Sequence, residues 1–330
     1  MRFRSDFLDR RRFLSLGGAT FALIAAPAYV RGAAPVVTIS GTAFGTGWSV
    51  SLSDRTGLPG LKPQLQQILE RIDLVFSPWR DDSTIGRFNA GKVDEAVVTD
   101  EVVTVAGAAL DIAEASDGRF DPTVGPMVAR WGFGPIDNGK SHHGGWREIR
   151  VGNGHVARTS EGLTLDFCGI AKGYALDRMT AALLDAGHKD FLIDLGGELA
   201  AHGRHPSGRA WHVGIENPLP DTEGLEGVLR LDGMAVATSG DRSNGYDIGN
   251  RRYSHIIDPS TGEPVTSTLA SVSVVMPAAM DADGWATALM AAGSAGPDLA
   301  RTREIPALFL MRTNDGLTRV MTGDVARYLV

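Results

Sequence analysis

Apolar and polar positions alternate with period two at Val36 to Ser40 and at Trp48 to Leu52, joined through the glycine-containing bend Gly41 to Thr46, which predicts two strands. The period then changes. Leu61 to Val75 carries Leu65, Ile68, Leu69 and Ile72 on one helical face, and Val102 to Ala115 repeats that pattern before stopping at Asp117-Gly118. Between them, Phe76 to Ser83 reads as a polar loop with a tryptophan, and Ser83 as the cap of a short helix. Leu163 and Leu165 predict the end of a buried strand, followed by a helix from Tyr174 to Ala186 closed by Gly187. From there the pattern is of strands: Phe191 to Leu195, Trp211 to Ile215, Leu229 to Leu231, Met234 to Thr238, Tyr253 to Ile257, Leu269 to Val275, Ala307 to Met311 and Thr318 to Met321. One long helix, Ala278 to Ala292, interrupts them. Runs of strands with few helices predict an α+β fold of mainly antiparallel sheet packed with helices, as one unit.

The N-terminus changes the picture of where the chain works. Arg10-Arg11-Arg12-Phe13-Leu14 followed by the weakly apolar run Leu16 to Ala28 reads as a twin-arginine export signal over residues 1–33, leaving residues 34–330 as the working domain. The expected location is the periplasm, with membrane association if the signal stays uncleaved. No later run approaches the roughly 18 apolar residues of a membrane helix. A net charge of −7 without a basic stripe argues against nucleic acid. The single cysteine, Cys168, excludes an intramolecular disulfide and a cysteine metal cluster, and reads as a small packing residue.

Candidate chemistry gathers at strand and helix ends. Asp166, Gly169, Lys172 and Gly173 place a carboxylate, a tight turn and a lysine at a helix N-terminus, an arrangement suited to an anion, or else an ordinary strand-to-helix connection. Asp283 and Thr287 stand four apart on one helix face. They are hard oxygen ligands suited to Mg²⁺, or else a solvated Asp beside a Thr bonded back to its own helix. The apolar company of Asp283 implies burial, and a buried carboxylate needs a partner. Ser254-His255 with Asp258 sets an imidazole and a carboxylate near one strand end, as a base or as a surface turn. Asp194-Leu195-Gly196-Gly197-Glu198 reads as a structural turn, and His142-His143 as a solvated pair. Zinc-protease, nucleophile-elbow, Walker and Rossmann motifs are all absent from the sequence. Residue chemistry alone describes an exported protein with an acidic, glycine-lined anion and metal site.

The segments GTAFGTGWSV, FSPWRDDSTIGRFN, DGRFDPTVGPMVARWGFGP, LDFCGIAKGYALD, FLIDLGGEL, WHVGIENP, VATSG, YSHIIDPSTGEPV and ADGWATALMAAG, in this order, resemble the ApbE family of FAD:protein FMN transferases. The twin-arginine signal is similar to that of its NosX-like branch. The resemblance implies Mg²⁺-dependent transfer of the FMN part of FAD to a Thr or Ser hydroxyl of an acceptor flavoprotein, with release of AMP. It implies an acceptor such as a NosR-, Rnf- or Nqr-like membrane subunit. An FAD pyrophosphatase and a non-catalytic FAD-binding protein are the alternatives. It further implies a metal held by the Gly169 carbonyl, Asp283 and Thr287, with FAD bound by Asp166 and Lys172. Phe44 and Trp79 would pack on its rings, Arg119, Phe120 and Asp121 would line it, and Ile257 would close over it. His255 and Asp283 are the implied catalytic residues, with His255 activating the acceptor hydroxyl and Asp258 orienting groups nearby. Three positions depart from the family pattern: Arg242 is displaced by one, Phe44 replaces a common Met, and Trp79 a common Tyr.

Overall fold

The computed structural model describes residues 36–54, 56–91, 95–220, 222–242, 245–248 and 251–330. The signal expected over residues 1–33 lies outside them, as do Ser243 and Asn244 beyond Arg242. The framework is an eight-stranded, wholly antiparallel sheet whose spatial order follows the chain: Val37–Ala43, Thr46–Leu52, Phe191–Leu195, Glu198–His202, Met234–Gly240, Leu269–Met276, Ala307–Thr313 and Gly316–Thr322. This is the α+β architecture expected from the hydrophobic pattern.

Both faces of the sheet are covered. On one face lie α1 (Leu58–Phe76), α3 (Asp100–Ala115), α5 (Ala171–Asp185) and α6 (Ala279–Ala291). The shorter α2 (Thr84–Asn89), α4 (Gly125–Arg130) and α7 (Gly296–Thr302) complete the helices. On the other face a hairpin, Trp211–Glu216 with Leu225–Leu231, and the C-terminal turn Val325–Tyr328 form a second core. Side chains sort by parity: Phe191, Ile193 and Leu195 pack under the helices, whereas Leu192 packs under the hairpin. Because both faces are dry, Leu269 to Val275 is buried without a break, and its apolar run carries no alternation to read.

Three expectations shift. Leu163–Leu165 is not a strand beyond one bridge from Leu163 to Lys140. It is an extended segment whose backbone is satisfied by side chains: Asn89 Nδ2 donates to the Leu165 carbonyl and its Oδ1 accepts from the Leu165 N–H, both at 2.8 Å, while Arg158 donates to the Leu163 carbonyl. Tyr253 to Ile257 is broken at His255-Ile256, dividing it between the hairpin Gly245–Ile248 with Arg251–Ser254 and the short pair Ile257–Asp258 with Glu263–Pro264. Glu198–His202 is a strand where a turn alone was expected.

α5 and α6 cross antiparallel and cap each other. Asp283 of α6 accepts from the Gly173 N–H in the first turn of α5 at 2.9 Å. Asp177 of α5 accepts from the Ala279 and Met280 N–H groups at the start of α6, at 2.7 and 2.9 Å. Each carboxylate satisfies orphan donors of the partner helix and faces the positive end of its dipole. This distant cap lets α5 begin at Ala171, three residues before the apolar pattern predicts. Gly173 permits the approach, since a Cβ there would stand 2.3 Å from the Ala279 carbonyl oxygen and 2.7 Å from the Asp283 Cβ.

Gly173→Ala is expected to push the two helices apart and to cost on the order of 3 kcal/mol, read as a lowered thermal midpoint. Asp177→Ala removes both contacts to α6 and is expected to cost about 1–2 kcal/mol in urea unfolding. Asp177→Asn, which keeps an acceptor, loses less.

Candidate functional site

The turn leading into α5 forms the floor. Asp166 Oδ1 accepts from the Cys168 N–H at 2.9 Å and shapes the turn, so the Gly169 carbonyl accepts from Thr287 Oγ1 at 3.3 Å. The approach requires glycine, because a Cβ at Gly169 would lie 2.9 Å from the Thr287 Oγ1 and 3.3 Å from the Phe120 ring. Asp283 stands one turn before Thr287 on α6 and is only 5% exposed. A carbonyl and a hydroxyl thus meet, with the Asp283 carboxylate one turn away on the same face of α6, on two elements whose relative position is set by the α5–α6 crossing.

The charges around them do not balance. Lys172 Nζ is 2.8 Å from Glu198 Oε1, and Glu198 is 5% exposed. The Glu198 and Asp283 carboxyls lie within hydrogen-bonding reach of each other. Burial, then the Glu198 charge, pushes Asp283 well above the usual carboxylate range; burial likewise raises Glu198 despite Lys172. Burial acts to lower Lys172, but Glu198 and Asp283 override it and hold the ammonium above its ordinary value. Glu198 Oε2 is buried with no hydrogen-bond donor aimed at it. One lysine faces two carboxyls, with Asp194 close by on the same side. The excess negative charge is relieved by a proton or by a cation. Oxygen donors with surplus negative charge are the ligand set of a hard divalent cation, and the residues present fit one. Among the described residues no group of three or more His, Cys, Asp or Glu side chains forms a metal cluster. This set is of another kind, since two of its three donors are a backbone carbonyl and a hydroxyl.

Cys168 corrects the packing expectation. It is exposed, yet burial, then Asp166, pushes its thiol well above the ordinary value. Its thiolate form is suppressed, so it is a poor nucleophile.

The structure places the other expected residues in two groups. Phe120 is buried against Gly169, while Asp121 turns inward and accepts from the Thr123 N–H and Oγ1 at 2.8 and 2.6 Å. Arg119 Nη1 is 3.3 Å from both Asp258 oxygens, tying this loop to the segment that carries half-buried His255 and buried Ile257. Phe44 and Trp79 are on two separate loops, neither in a hydrogen bond or ring contact with these residues. Phe44 sits at the apex of the first hairpin with φ 53°, beside the Gly196 turn that packs on Thr46. Trp79 is 63% exposed and follows Phe76, whose ring meets Phe167 edge-on at 5.8 Å. Arg242 donates to the Asn217 carbonyl at 2.7 Å, and so reaches the outer hairpin. The His142-His143 pair is exposed, with His142 Nε2 3.2 Å from Glu148.

Glu198 is the site residue that the reading of a structural turn missed. The available signal was an acid directly after Gly196-Gly197, at a strand end where a lysine-bearing helix starts nearby in space but not in sequence.

Residues 44–309 match the model of the ApbE family. The FAD:protein FMN transferase of Vibrio cholerae is 30% identical over 309 residues, covering 89% of this chain and 92% of that protein. That of Escherichia coli K12 is 29% identical over 317 residues, covering 90% of each. Among solved structures, the flavin transferase ApbE from Vibrio cholerae superposes with a TM-score of 0.80 at 29% identity, over 89% of this chain and all of that one. The apo flavinyl transferase ApbE of Pseudomonas stutzeri gives the same TM-score at 32% identity, over 89% and 96%. With most of its length matched in sequence and in fold, this chain belongs to the ApbE family.

Proposed function

We propose that this chain is an FAD:protein FMN transferase acting in the periplasm on a Thr or Ser hydroxyl of an acceptor flavoprotein. The observation that carries this reading is the meeting of the Gly169 carbonyl and Thr287 hydroxyl, one helical turn from the Asp283 carboxylate, beside the ion pair of half-buried Lys172 with buried Glu198. These three oxygens would hold Mg²⁺, which when bound neutralises charge developing on the pyrophosphate. The family match supports the reaction class, and the twin-arginine motif supports the compartment.

The protein's own residues do the rest. Lys172, held firmly in its charged form, offers a fixed cation to the FAD phosphates at the start of α5. Phe120 walls the floor, Asp166 shapes its turn, and the rings of half-buried Phe44 and exposed Trp79 would offer aromatic surface to the flavin or adenine. Arg119 and Asp258 secure the strap carrying His255 and Ile257 over the cleft. The acceptor oxygen attacks the phosphorus on the riboflavin side of the pyrophosphate and forms the new P–O bond. The bond from that phosphorus to the bridging oxygen breaks, AMP leaves with its electron pair, and the hydroxyl proton passes to the imidazole of His255.

Mixing the protein with FAD, Mg²⁺ and a flavinylation-type acceptor domain is expected to give a covalent FMN adduct and one AMP per adduct, read by mass spectrometry. Asp283→Ala is expected to reduce the rate on the order of 10³-fold. An absent adduct, or an undiminished rate in that variant, would sink the proposal; FMN and AMP formed without acceptor would mark a pyrophosphatase instead.

A second prediction follows from the charges. Asp283 and Glu198 have folded values above their unfolded ones, so their ionised forms oppose folding increasingly as pH rises above about 4. Lys172 offsets that cost. Lys172→Met is therefore expected to lower the urea midpoint little at pH 5 and more at pH 8.

A further inference from the structure

Four rings stack in one file beside His255. Tyr246 and Tyr253 are a directly opposed cross-strand pair of the hairpin Gly245–Ile248 with Arg251–Ser254, their centroids 5.5 Å apart at 20°. Trp131 stacks on Tyr253 at 5.6 Å and 23°, and Phe133 on Tyr246 at 5.1 Å and 18°. The order is Trp131, Tyr253, Tyr246, Phe133: two residues of one loop clamp the hairpin between them. The Tyr246 hydroxyl donates to the Trp131 carbonyl at 3.2 Å. The clamp has a second hold, since Trp131 Nε1 and Arg130 Nη2 both donate to the Gly262 carbonyl, at 2.9 and 2.6 Å. Residues 130–133 thus grip the segment from Tyr253 to Gly262 at both ends, with His255 between.

Stacking explains one side of Phe133. Its ring also meets the imidazole of His255 in a T-shaped contact, 6.4 Å between centroids at 67°, within the range of favourable edge contacts. The Phe133 backbone is tied to the end of α4, its N–H donating to the Val128 carbonyl at 3.2 Å, and Gly132 takes φ 81° to make that turn. The imidazole therefore abuts a ring that is itself held by a helix end and by the tyrosine pair.

We infer that Phe133 is a positioning residue that fixes the orientation of the His255 imidazole toward the acceptor hydroxyl, with the Trp131–Tyr253–Tyr246 stack as its support. The inference rests on the reading of His255 as the base. Orientation matters because a base acts only from a narrow range of distance and angle, and a misplaced group lowers the rate without weakening substrate binding.

The test measures FMN transfer in full-length variants, with the His255 imidazole followed by NMR of ¹³C-histidine-labelled protein. Phe133→Leu is expected to lower kcat about 10- to 100-fold, with KM for FAD unchanged. It should also shift the His255 resonances, and Phe133→Tyr, which keeps the ring, should restore kcat and resonances. In a His255→Ala background, Phe133→Leu is expected to cause no further loss. An equal loss in both backgrounds, or unmoved His255 resonances, overturns the inference while leaving His255 as the base. An unchanged kcat in His255→Ala alone overturns the base reading and the inference with it. Should Phe133→Leu fail to fold, Phe133→Met with the same cycle and spectra decides the matter.

Discussion

The α5–α6 crossing governs the rest of this structure. Two helices from distant parts of the chain approach until a single glycine is the only residue that fits, and a carboxylate of each then accepts from N–H groups at the start of the other. Capping energies are modest one by one, but here they are reciprocal, so neither helix can shift without exposing the other's terminus. Asp283 is part of the cap, and Thr287 stands one turn further along the same helix. The geometry of the candidate metal ligands is therefore a consequence of helix packing, not of a flexible loop.

Electrostatics adds a second layer. The pair of half-buried Lys172 with buried Glu198 gives little net stability, since desolvation of the carboxylate consumes most of the attraction. Its value is in the charge it leaves. With Asp283 beside it, the cluster retains excess negative potential around two buried carboxyls, which a proton or a cation would offset.

Much of this was legible in the sequence, for identifiable reasons. The helix Ala278 to Ala292 and most strands from Phe191 onward are apolar runs bounded by turn-forming residues, and the structure reproduces them except at Tyr253 to Ile257, which is broken in two, and at Glu198–His202, which was not expected. From spacing, Asp283 and Thr287 read either as hard oxygen ligands or as a solvated Asp beside a back-bonded Thr; the structure buries Asp283 and turns the Thr287 hydroxyl to the Gly169 carbonyl. What was not legible depended on distant partners. Leu163–Leu165 looks like a strand because its apolar positions alternate, yet its hydrogen bonds go to Asn89 and Arg158, for which no local pattern exists. Glu198 looked like part of a turn because its lysine lies on another element. Cys168 looked like a packing residue because small and apolar usually means buried; its exposure depends on what the turn at Asp166 to Gly169 packs against, which has no signature in sequence. The stack of Trp131, Tyr253, Tyr246 and Phe133 joins a loop to a hairpin far along the chain, beyond the reach of periodicity.

The monotonic strand order has a consequence for how the chain folds. Neighbouring strands Thr46–Leu52 and Phe191–Leu195 must pair across the whole of residues 53–190, while the strands from Phe191 onward have much nearer partners in sequence. Closure entropy grows only as the logarithm of loop length, roughly 0.6 kcal/mol per doubling, so this costs little stability but slows the search. The C-terminal half is then the natural template, onto which the N-terminal hairpin docks late. The crossing of α5 and α6 joins the two halves of the chain, so the cleft acquires its shape only when synthesis has passed Thr287 and tertiary assembly is nearly complete. A partly folded chain holds no finished site with which to capture a nucleotide.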